Sequence, residues 1–248
     1  MSGSEAFDPY VPLNVLKPIT PGVWIVDGPE IQFNYLGLKF PFPTRMTLVQ
    51  LPDGGLWVHS PTSLTAALAK GVLELGPVPS LIAPNTLHYW WVPDWKTRFP
   101  DAVVYAAPGL EKSAKRPLPI DQVLGNAPPP AWAGIIDQAV VRGDMLTEVA
   151  FFHHPSRTLV LTDLIENFEL ERTHSRFLRL LLRFAGAADP DGKAPVDMQL
   201  TFWRHRKAAR AEVERMIAWK PERIIIAHGR WYEGNCASEL RRAFRWVL

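Results

Sequence analysis

The sequence is poor in the features that mark secreted and membrane proteins. Its 248 residues include one cysteine, Cys236, which cannot form an intramolecular disulfide, so a disulfide-stapled secreted domain is excluded. No stretch approaches the roughly 18 uninterrupted apolar residues of a membrane-spanning helix. Residues 1–12 carry acidic side chains and prolines in place of a basic and then an apolar segment, so no signal peptide is predicted. These absences favour a cytoplasmic protein.

An excess of charge of one sign is also missing. Lys and Arg number 27 and Asp and Glu 25, so the formal net charge is only +2 and no nucleic-acid partner is predicted. The sequence has no glycine-rich phosphate loop, no Gly-x-Ser-x-Gly turn and no pair of cysteines for zinc. Nucleotide-binding, serine-hydrolase and cysteine-zinc functions that depend on these motifs are therefore not indicated.

Proline, by contrast, is abundant, with 24 residues where the average share is about 5%. The prolines cluster where strands are expected to end, at positions 41 and 43, 77 and 79, 117 and 119, and 128 to 130. Apolar periodicity between them predicts alternating strands and helices. The predicted strands are residues 23–26, 46–51, 56–59, 80–83, 102–106, 135–140, 148–152, 158–162 and 223–227. The predicted helices are residues 61–75, part of 93–99, 173–185, 204–219 and 237–247.

Two of these strands run directly into a side chain that can bind a metal. One apolar run ends at Asp163 and another at His228. A strand buried on both faces places the residue at its end on the rim of the sheet, held by rigid backbone and open to a ligand. Each residue alone has an ordinary alternative, which is a helix cap for Asp163 and a core histidine for His228.

Several longer segments carry a resemblance to a known family. They are residues 45–47, 56–61, 83–88, 152–159, 162–168 and 227–229. In this order they resemble an uncharacterised bacterial domain family that is itself similar to the metallo-β-lactamase fold, over about residue 14 to the C-terminus. The resemblance implies one α/β domain, residues 1–248, built as an αββα sandwich with two mixed β-sheets and a site at one edge between them. It implies no particular reaction, because the family has no agreed activity.

The resemblance also suggests metal ligands. The first metal motif of the superfamily, His-x-His-x-Asp-His, corresponds here to residues 85–90, in which His88 is the one strong ligand. Asp163, with Phe168 nearby, resembles the bridging carboxylate, and His228 resembles the final histidine of a His-Gly turn.

Four further residues are candidates to support these ligands. Asn85 stands in the metal motif, and His59 lies where the superfamily usually has a supporting carboxylate, so either can orient a ligand or water. A buried histidine bonded to backbone is the equal alternative for His59. A histidine is also expected near residues 143–147, where none occurs, and His153 with His154 are candidate substitutes one strand later.

Two histidines and one carboxylate suit a single ion of zinc, iron or manganese, whereas two ions would lack ligands. His88, Asp163 and His228 are thus predicted to bind a metal, with His88 and Asp163 catalytic, in a hydrolase acting on a small ester, lactone, amide or phosphoester. The alternative is a metal-poor protein that binds a small molecule or partner without turnover, because Asn85, Leu87 and Tyr89 stand where ligands or a catalytic Asp are expected. Redox chemistry at iron is a third possible function.

The aromatic residues at positions 89–91 and 95 are predicted to form core or the wall of an apolar pocket.

A helical insertion is predicted at about residues 170–200. Phe177, Leu180, Leu181 and Phe184 form an apolar stripe, and Arg residues recur at helical spacing beside it. Such a helix can lie on an anionic membrane, but more often it packs on the protein body or on a second subunit. We therefore expect it to cover the site or to form a homodimer contact.

Overall fold

The computed structural model describes residues 6–35 and 38–248, which form two β-sheets with helices on their outer faces. This is the predicted αββα sandwich. The N-terminal sheet has seven strands in chain order. They are β1 (Lys17–Thr20), β2 (Val23–Tyr35), β3 (Leu38–Gln50), β4 (Leu56–His59), β5 (Ser80–Ala83), β6 (Val103–Ala106) and β7 (Gln122–Val123). Strands β1 to β4 are antiparallel, and β4 to β7 are parallel.

The C-terminal sheet has five strands in the order β12-β11-β10-β9-β8. They are β8 (Ile136–Arg142), β9 (Thr147–His153), β10 (Thr158–Val160), β11 (Arg223–Ile225) and β12 (Tyr232–Glu233). Only β10 and β11 pair in parallel. The α-helices are α1 (Ala66–Leu75), α2 (Val92–Arg98), α3 (Leu110–Ser113), α4 (Arg176–Ala185), α5 (Val196–Thr201), α6 (Arg206–Ala218) and α7 (Cys236–Ala243). No helix in the described ranges is long and apolar enough to cross a membrane.

The strands alternate between two cores, as a period of two residues requires. In β4, Trp57 points into the core between the sheets, while Leu56 and Val58 pack in the outer core beneath α1 and α2. In β11, Ile225 faces the inner core and Ile224 packs under α6 and α7. Both sheets are therefore covered on both faces, which explains the continuous apolar runs in their central strands.

The prolines at positions 41 and 43 do not end a strand, contrary to prediction. They lie inside β3, whose residues 38–44 pair with β2, whereas β4 pairs only with residues 47–50. The other side of β3 has no strand partner there in the described part of the chain, so prolines without an N–H are tolerated at that edge. The hairpin of β2 and β3 is consequently much longer than the strands predicted from apolar residues alone.

The candidate site lies where parallel strands end at one edge of the sandwich. Ser60 follows β4 and Asn85 follows β5, while Asp163 and His228 each come three residues after β10 and β11. The parallel pairs β4–β5 and β10–β11 bring the carboxyl ends of adjacent strands together. Loops after these strands therefore meet in one place, as is common for α/β enzymes.

Candidate metal centre

Three candidate ligand atoms form a nearly regular triangle. The Nε2 atom of His88 lies 3.2 Å from Oδ1 of Asp163, the Nε2 atom of His228 lies 3.1 Å from the same oxygen, and the two Nε2 atoms are 3.1 Å apart. His228 and Asp163 are buried, and the side chain of His88 is 10% exposed. Residues up to 140 positions apart in the sequence thus aim three donor atoms at one point.

The other ring nitrogen of each histidine is held by the protein. The carbonyl oxygen of Pro43 lies 2.7 Å from Nδ1 of His228. A carbonyl only accepts, so Nδ1 carries the proton and the neutral ring presents a lone pair at Nε2. The hydroxyl of Ser60 lies 2.7 Å from Nδ1 of His88, and Ser60 adopts a left-handed backbone with φ 51°. Contacts of this kind fix ring orientation in metal-binding histidines.

Asp163 is held by a buried polar network. Its Oδ2 accepts a 2.6 Å hydrogen bond from the Nδ2 of Asn85, which also donates to Glu148 and Thr162. The carboxylate of Glu148 accepts the backbone N–H groups of Thr162 and Asp163 at 2.7 and 2.8 Å. Asn85 also accepts the N–H of His88 at 2.8 Å, so one amide links the loop of His88 to the carboxylate of Asp163.

The charges of the cluster depend on one another. Burial alone would raise the pKa of Asp163, but the adjacent His88 and His228 hold it well below its usual range, so Asp163 is a carboxylate. Burial lowers the pKa of His228 despite its bond to Asp163. Burial also acts to lower the pKa of His88, but the charges of Asp163 and Glu148 outweigh it and raise that pKa. The net result is one fixed negative charge facing two imidazoles.

Arg45 of β3 holds the turn that carries His228. Its Nη1 donates to the carbonyl oxygens of Ile226 and Gly229, at 2.9 and 2.8 Å, and its Nε donates to Asp27 at 2.8 Å. Gly229 has φ 90°, and a Cβ there would lie 2.0 Å from the carbonyl oxygen of Asn167. Glycine is thus required where the turn crosses the Asn167 backbone.

The structure brings together four of the seven residues singled out in the sequence, which are His88, Asp163, His228 and Asn85. His153 is not one of them, because it sits at the start of the β9–β10 turn and contacts Ser156, at the opposite end of β10 from Asp163. His154 pairs with Asp137 on the surface. Sequence reasoning missed Ser60, Glu148 and Arg45. The available signal for Glu148 is its position directly before the apolar run 149–152 of β9, and in the structure it is fully buried.

His59 is buried beside the site but makes no hydrogen bond to its ligands. Its ring stacks on Trp57 with centroids 5.3 Å apart, and its Nε2 has no partner among the described residues. Burial, with a smaller effect of His88, lowers its pKa from 6.5 to about 3. His59 is therefore a neutral member of the inner core, and Ser60 makes the contact to His88.

This pKa predicts a loss of stability in acid. The unfolded chain binds a proton at His59 near pH 6.5 while the folded protein does not until about pH 3, so the free energy of unfolding falls as the pH drops through that window. We expect His59→Phe to remove about 2 kcal/mol of the decrease between pH 7 and pH 5, measured by urea denaturation at each pH. The exposed His205→Phe serves as control, and an equal acid sensitivity in both variants would contradict the prediction.

The donor set and its spacing fit a metal ion. A tetrahedral ion bound at about 2.0 Å needs donors roughly 3.3 Å apart, and one face of an octahedral site at about 2.1 Å needs roughly 3.0 Å. The three separations at His88, Asp163 and His228 lie between these values. Within residues 6–35 and 38–248, these three residues are the one cluster of three His, Cys, Asp or Glu side chains that could hold a metal ion.

A pocket with mainly apolar walls opens onto the triangle. Its apolar lining consists of Ile31, Phe42, Pro61, Leu87, Trp90, Trp91 and Met198. Trp90 and Trp91 thus line the pocket, while Tyr89 and Trp95 are buried in the outer core.

Glu166 also lines the pocket. It is 4% exposed, and its carboxyl group accepts no hydrogen bond from a described residue. Burial and the charges of Asp163, Asp197 and Glu148 raise its pKa well above the usual value, which favours the protonated carboxyl.

Solved structures with the same fold are metallo-β-lactamases. DIM-1 metallo-β-lactamase exposed to ceftazidime has 12% identity and a TM-score of 0.62, with 94% of this chain and 97% of that chain covered. A metallo-β-lactamase from Hirschia baltica has 12% identity and a TM-score of 0.61, with the same coverage. The mono-zinc form of FIM-1 from Pseudomonas aeruginosa has 12% identity and a TM-score of 0.60, with 94% of each chain covered. At these identities the likeness establishes the fold.

The family follows from the sequence itself. No curated protein matches the chain. The model of a domain of unknown function, DUF4336, matches residues 23–176, which is more than half of the sequence. The matched segment includes His88, Asp163 and the strands that carry them, and it agrees with the family resemblance described above. The chain is therefore a member of the DUF4336 family, with a metallo-β-lactamase fold.

Proposed function

We propose that this protein is a hydrolase that uses a single divalent metal ion, zinc in first place and iron or manganese as alternatives, to cleave a small ester, lactone, amide or phosphoester. The observation that carries the proposal is the triangle of donor atoms at His88, Asp163 and His228. The mono-zinc form of FIM-1 is a precedent for one ion in this fold. Asn85, Leu87 and Tyr89 supply no ligand for a second ion.

His88, Asp163 and His228 are the residues that would hold the ion. A bound ion of this kind supplies Lewis acidity and makes water a nucleophile near neutral pH. The protein holds the ligand atoms in place beforehand. Ser60 and the carbonyl of Pro43 orient the two rings, and Asn85 orients the carboxylate of Asp163.

The pocket supports the proposal with apolar side chains for substrate binding and with a candidate proton donor. The apolar side chains of Phe42, Leu87 and Trp91 can bind the apolar part of a substrate and exclude excess water. The raised pKa of Glu166 favours a protonated carboxyl, and a departing alkoxide or amine requires a proton. We assign Glu166 the role of proton donor to the leaving group.

Metal content and turnover test the proposal together. Protein loaded with zinc, manganese or iron(II) is expected to retain about one equivalent by elemental analysis. It should hydrolyse p-nitrophenyl acetate, a simple lactone or bis-p-nitrophenyl phosphate in a chelator-sensitive way. Glu166→Gln should keep the metal and lower turnover of the lactone, whose departing alkoxide needs a proton, at least about 10-fold. Turnover that survives complete removal of metal would contradict the mechanism.

A non-catalytic binding protein is the second candidate. Asn85 favours this candidate. It stands at a motif position that carries a metal ligand in the superfamily, but here its side-chain amide donates hydrogen bonds to Asp163 and Glu148. A folded protein that binds none of the three metals at neutral pH would exclude the hydrolase and support this candidate. Retention of one equivalent with chelator-sensitive turnover would exclude the candidate.

A further inference from the structure

Helix α4 exposes far more apolar surface than a surface helix needs. Its sequence is Arg-Phe-Leu-Arg-Leu-Leu-Leu-Arg-Phe-Ala, and Ser175 caps its first turn by accepting the N–H of Leu178 at 3.3 Å. Leu178 and Leu182 are buried. Phe177 and Phe184, by contrast, are 73% and 77% exposed, and Leu180 is 51% exposed.

The exposed side chains form a second face of the same helix. Positions 177, 180 and 184 follow one another by three and four residues, so they lie on one side, roughly 120° or more around the helix from the buried pair Leu178 and Leu182. Leu181 lies between the two faces and is half-buried. The apolar side chains of α4 thus cover an arc about twice as wide as the part that packs on the protein body. The other half of that arc forms a ridge exposed to solvent. Contiguous apolar surface of this kind marks an interaction site.

Arginines border this ridge without acidic partners. Arg176 and Arg183 are exposed, and Arg179 donates to the carbonyl oxygen of Thr173 at 2.7 Å. None of the three forms an ion pair with a residue that the structure describes, and α4 contains no acidic residue. Their charge is therefore available to an anionic partner.

The segment that follows α4 repeats the combination. Leu200 and Trp203 are 67% and 74% exposed. They are followed by the exposed basic side chains of Arg204, Arg206 and Lys207, which form no ion pair within residues 6–35 and 38–248. Met198 of α5 lines the pocket, and α4 packs in a cluster that includes Phe42, another lining residue.

We propose that α4, with the exposed residues of α5 and the turn after it, forms a docking surface for an anionic lipid bilayer. Phe177, Leu180 and Phe184 would enter the boundary between headgroups and acyl chains while the arginines contact lipid phosphates. A second copy of the chain fits less well. Two such faces in a symmetric dimer would bring like-charged arginine rows together with no acidic residue of α4 to neutralise them. Docking there would place the pocket near the bilayer surface.

The test measures sedimentation of the full chain with vesicles of phosphatidylcholine alone and of an equal mixture with phosphatidylglycerol. We expect binding to the mixed vesicles only, weakened by salt because the attraction between surface charges is screened. Arg176→Gln with Arg183→Gln should lower the partition coefficient on the order of 30-fold, because each basic residue near an anionic membrane surface raises that coefficient about 5-fold. Phe177→Ser with Phe184→Ser should weaken it at least as much.

The matched control is Lys112→Gln with Arg241→Gln, which removes the same net charge from exposed positions on α3 and α7 and should bind as the wild type does. Circular dichroism checks that every variant is folded. Equal binding to both kinds of vesicle, or equal loss in the control, would overturn the role of the arginines. A wild-type dimer in light scattering that the Phe variant dissociates, with no vesicle binding, would overturn the proposal in favour of a second copy. None of these measurements depends on metal or turnover.

Discussion

Asp163→Asn should eliminate metal binding while the protein remains folded. Asp163 provides the single fixed negative charge of the triangle and lies 3.2 and 3.1 Å from the two imidazole nitrogens. An amide nitrogen or a neutral oxygen in its place gives no charge to a divalent ion, so we expect affinity for zinc to fall more than about 100-fold. Isothermal titration calorimetry, after removal of endogenous metal, measures this change.

Two comparisons make that result specific. Asp137→Asn alters another carboxylate that pairs with a histidine, His154, at 3.0 Å on the surface, and it should leave affinity unchanged. Zinc affinity of the wild type should also fall as the pH drops through the raised pKa of His88, because a histidine must lose its proton to bind metal. Unchanged affinity in Asp163→Asn, or a pH-independent affinity in the wild type, would mean that zinc binds elsewhere.

Arg45→Met should cause the largest loss of stability among the substitutions considered. Arg45 is 4% exposed and is the donor to two backbone carbonyls and to Asp27. Its removal leaves those carbonyls without that donor and leaves Asp27 with Lys17 as its one ionic partner among the described residues. Breaking a buried ion pair by removing one member costs about 3–5 kcal/mol, measured here as the free energy of unfolding in urea. Zinc affinity should also fall, because the turn of His228 loses its support.

Arg223 of β11, in the C-terminal sheet, provides the comparison because its ion-pair partner lies on the surface. Arg223 pairs with Glu233 at 2.9 Å, and the Glu233 side chain is 59% exposed. Surface pairs contribute about 1 kcal/mol or less, so Arg223→Met should cost no more than that. Arg45→Met with Asp27→Leu should recover part of the lost stability, because the buried carboxylate that has lost Arg45 is then removed, while the Lys17 side chain is 23% exposed and keeps access to water. Similar losses of stability in Arg45→Met and Arg223→Met would contradict the role of Arg45 in holding the turn of His228.

Much of the fold was predictable because its central strands carry a local signal. Strands β4 and β5 begin and end at the predicted residues, since a short apolar run between turn residues specifies a buried strand. The outer half of the β2–β3 hairpin has no such signal. Its residues include Pro29, Pro41 and Pro43, and they become strand only by pairing across the hairpin. Helix α5 is a similar case, because six residues are too few to show a helical period.

The identity of the candidate ligands came from the sequence, and their arrangement came from the tertiary structure. Asp163 and His228 are visible as polar residues that follow apolar strands, and His88 is indicated by the family resemblance. The partners that fix them, Ser60 for one ring and the carbonyl of Pro43 for the other, have no sequence pattern of their own. The contact of Ser60 with His88 joins loops 28 residues apart that follow neighbouring strands of one sheet. The contact of Pro43 with His228, 185 residues apart, exists because the two sheets pack together. Local periodicity decides which residues reach a sheet edge, whereas the packing of the two sheets decides which of them meet.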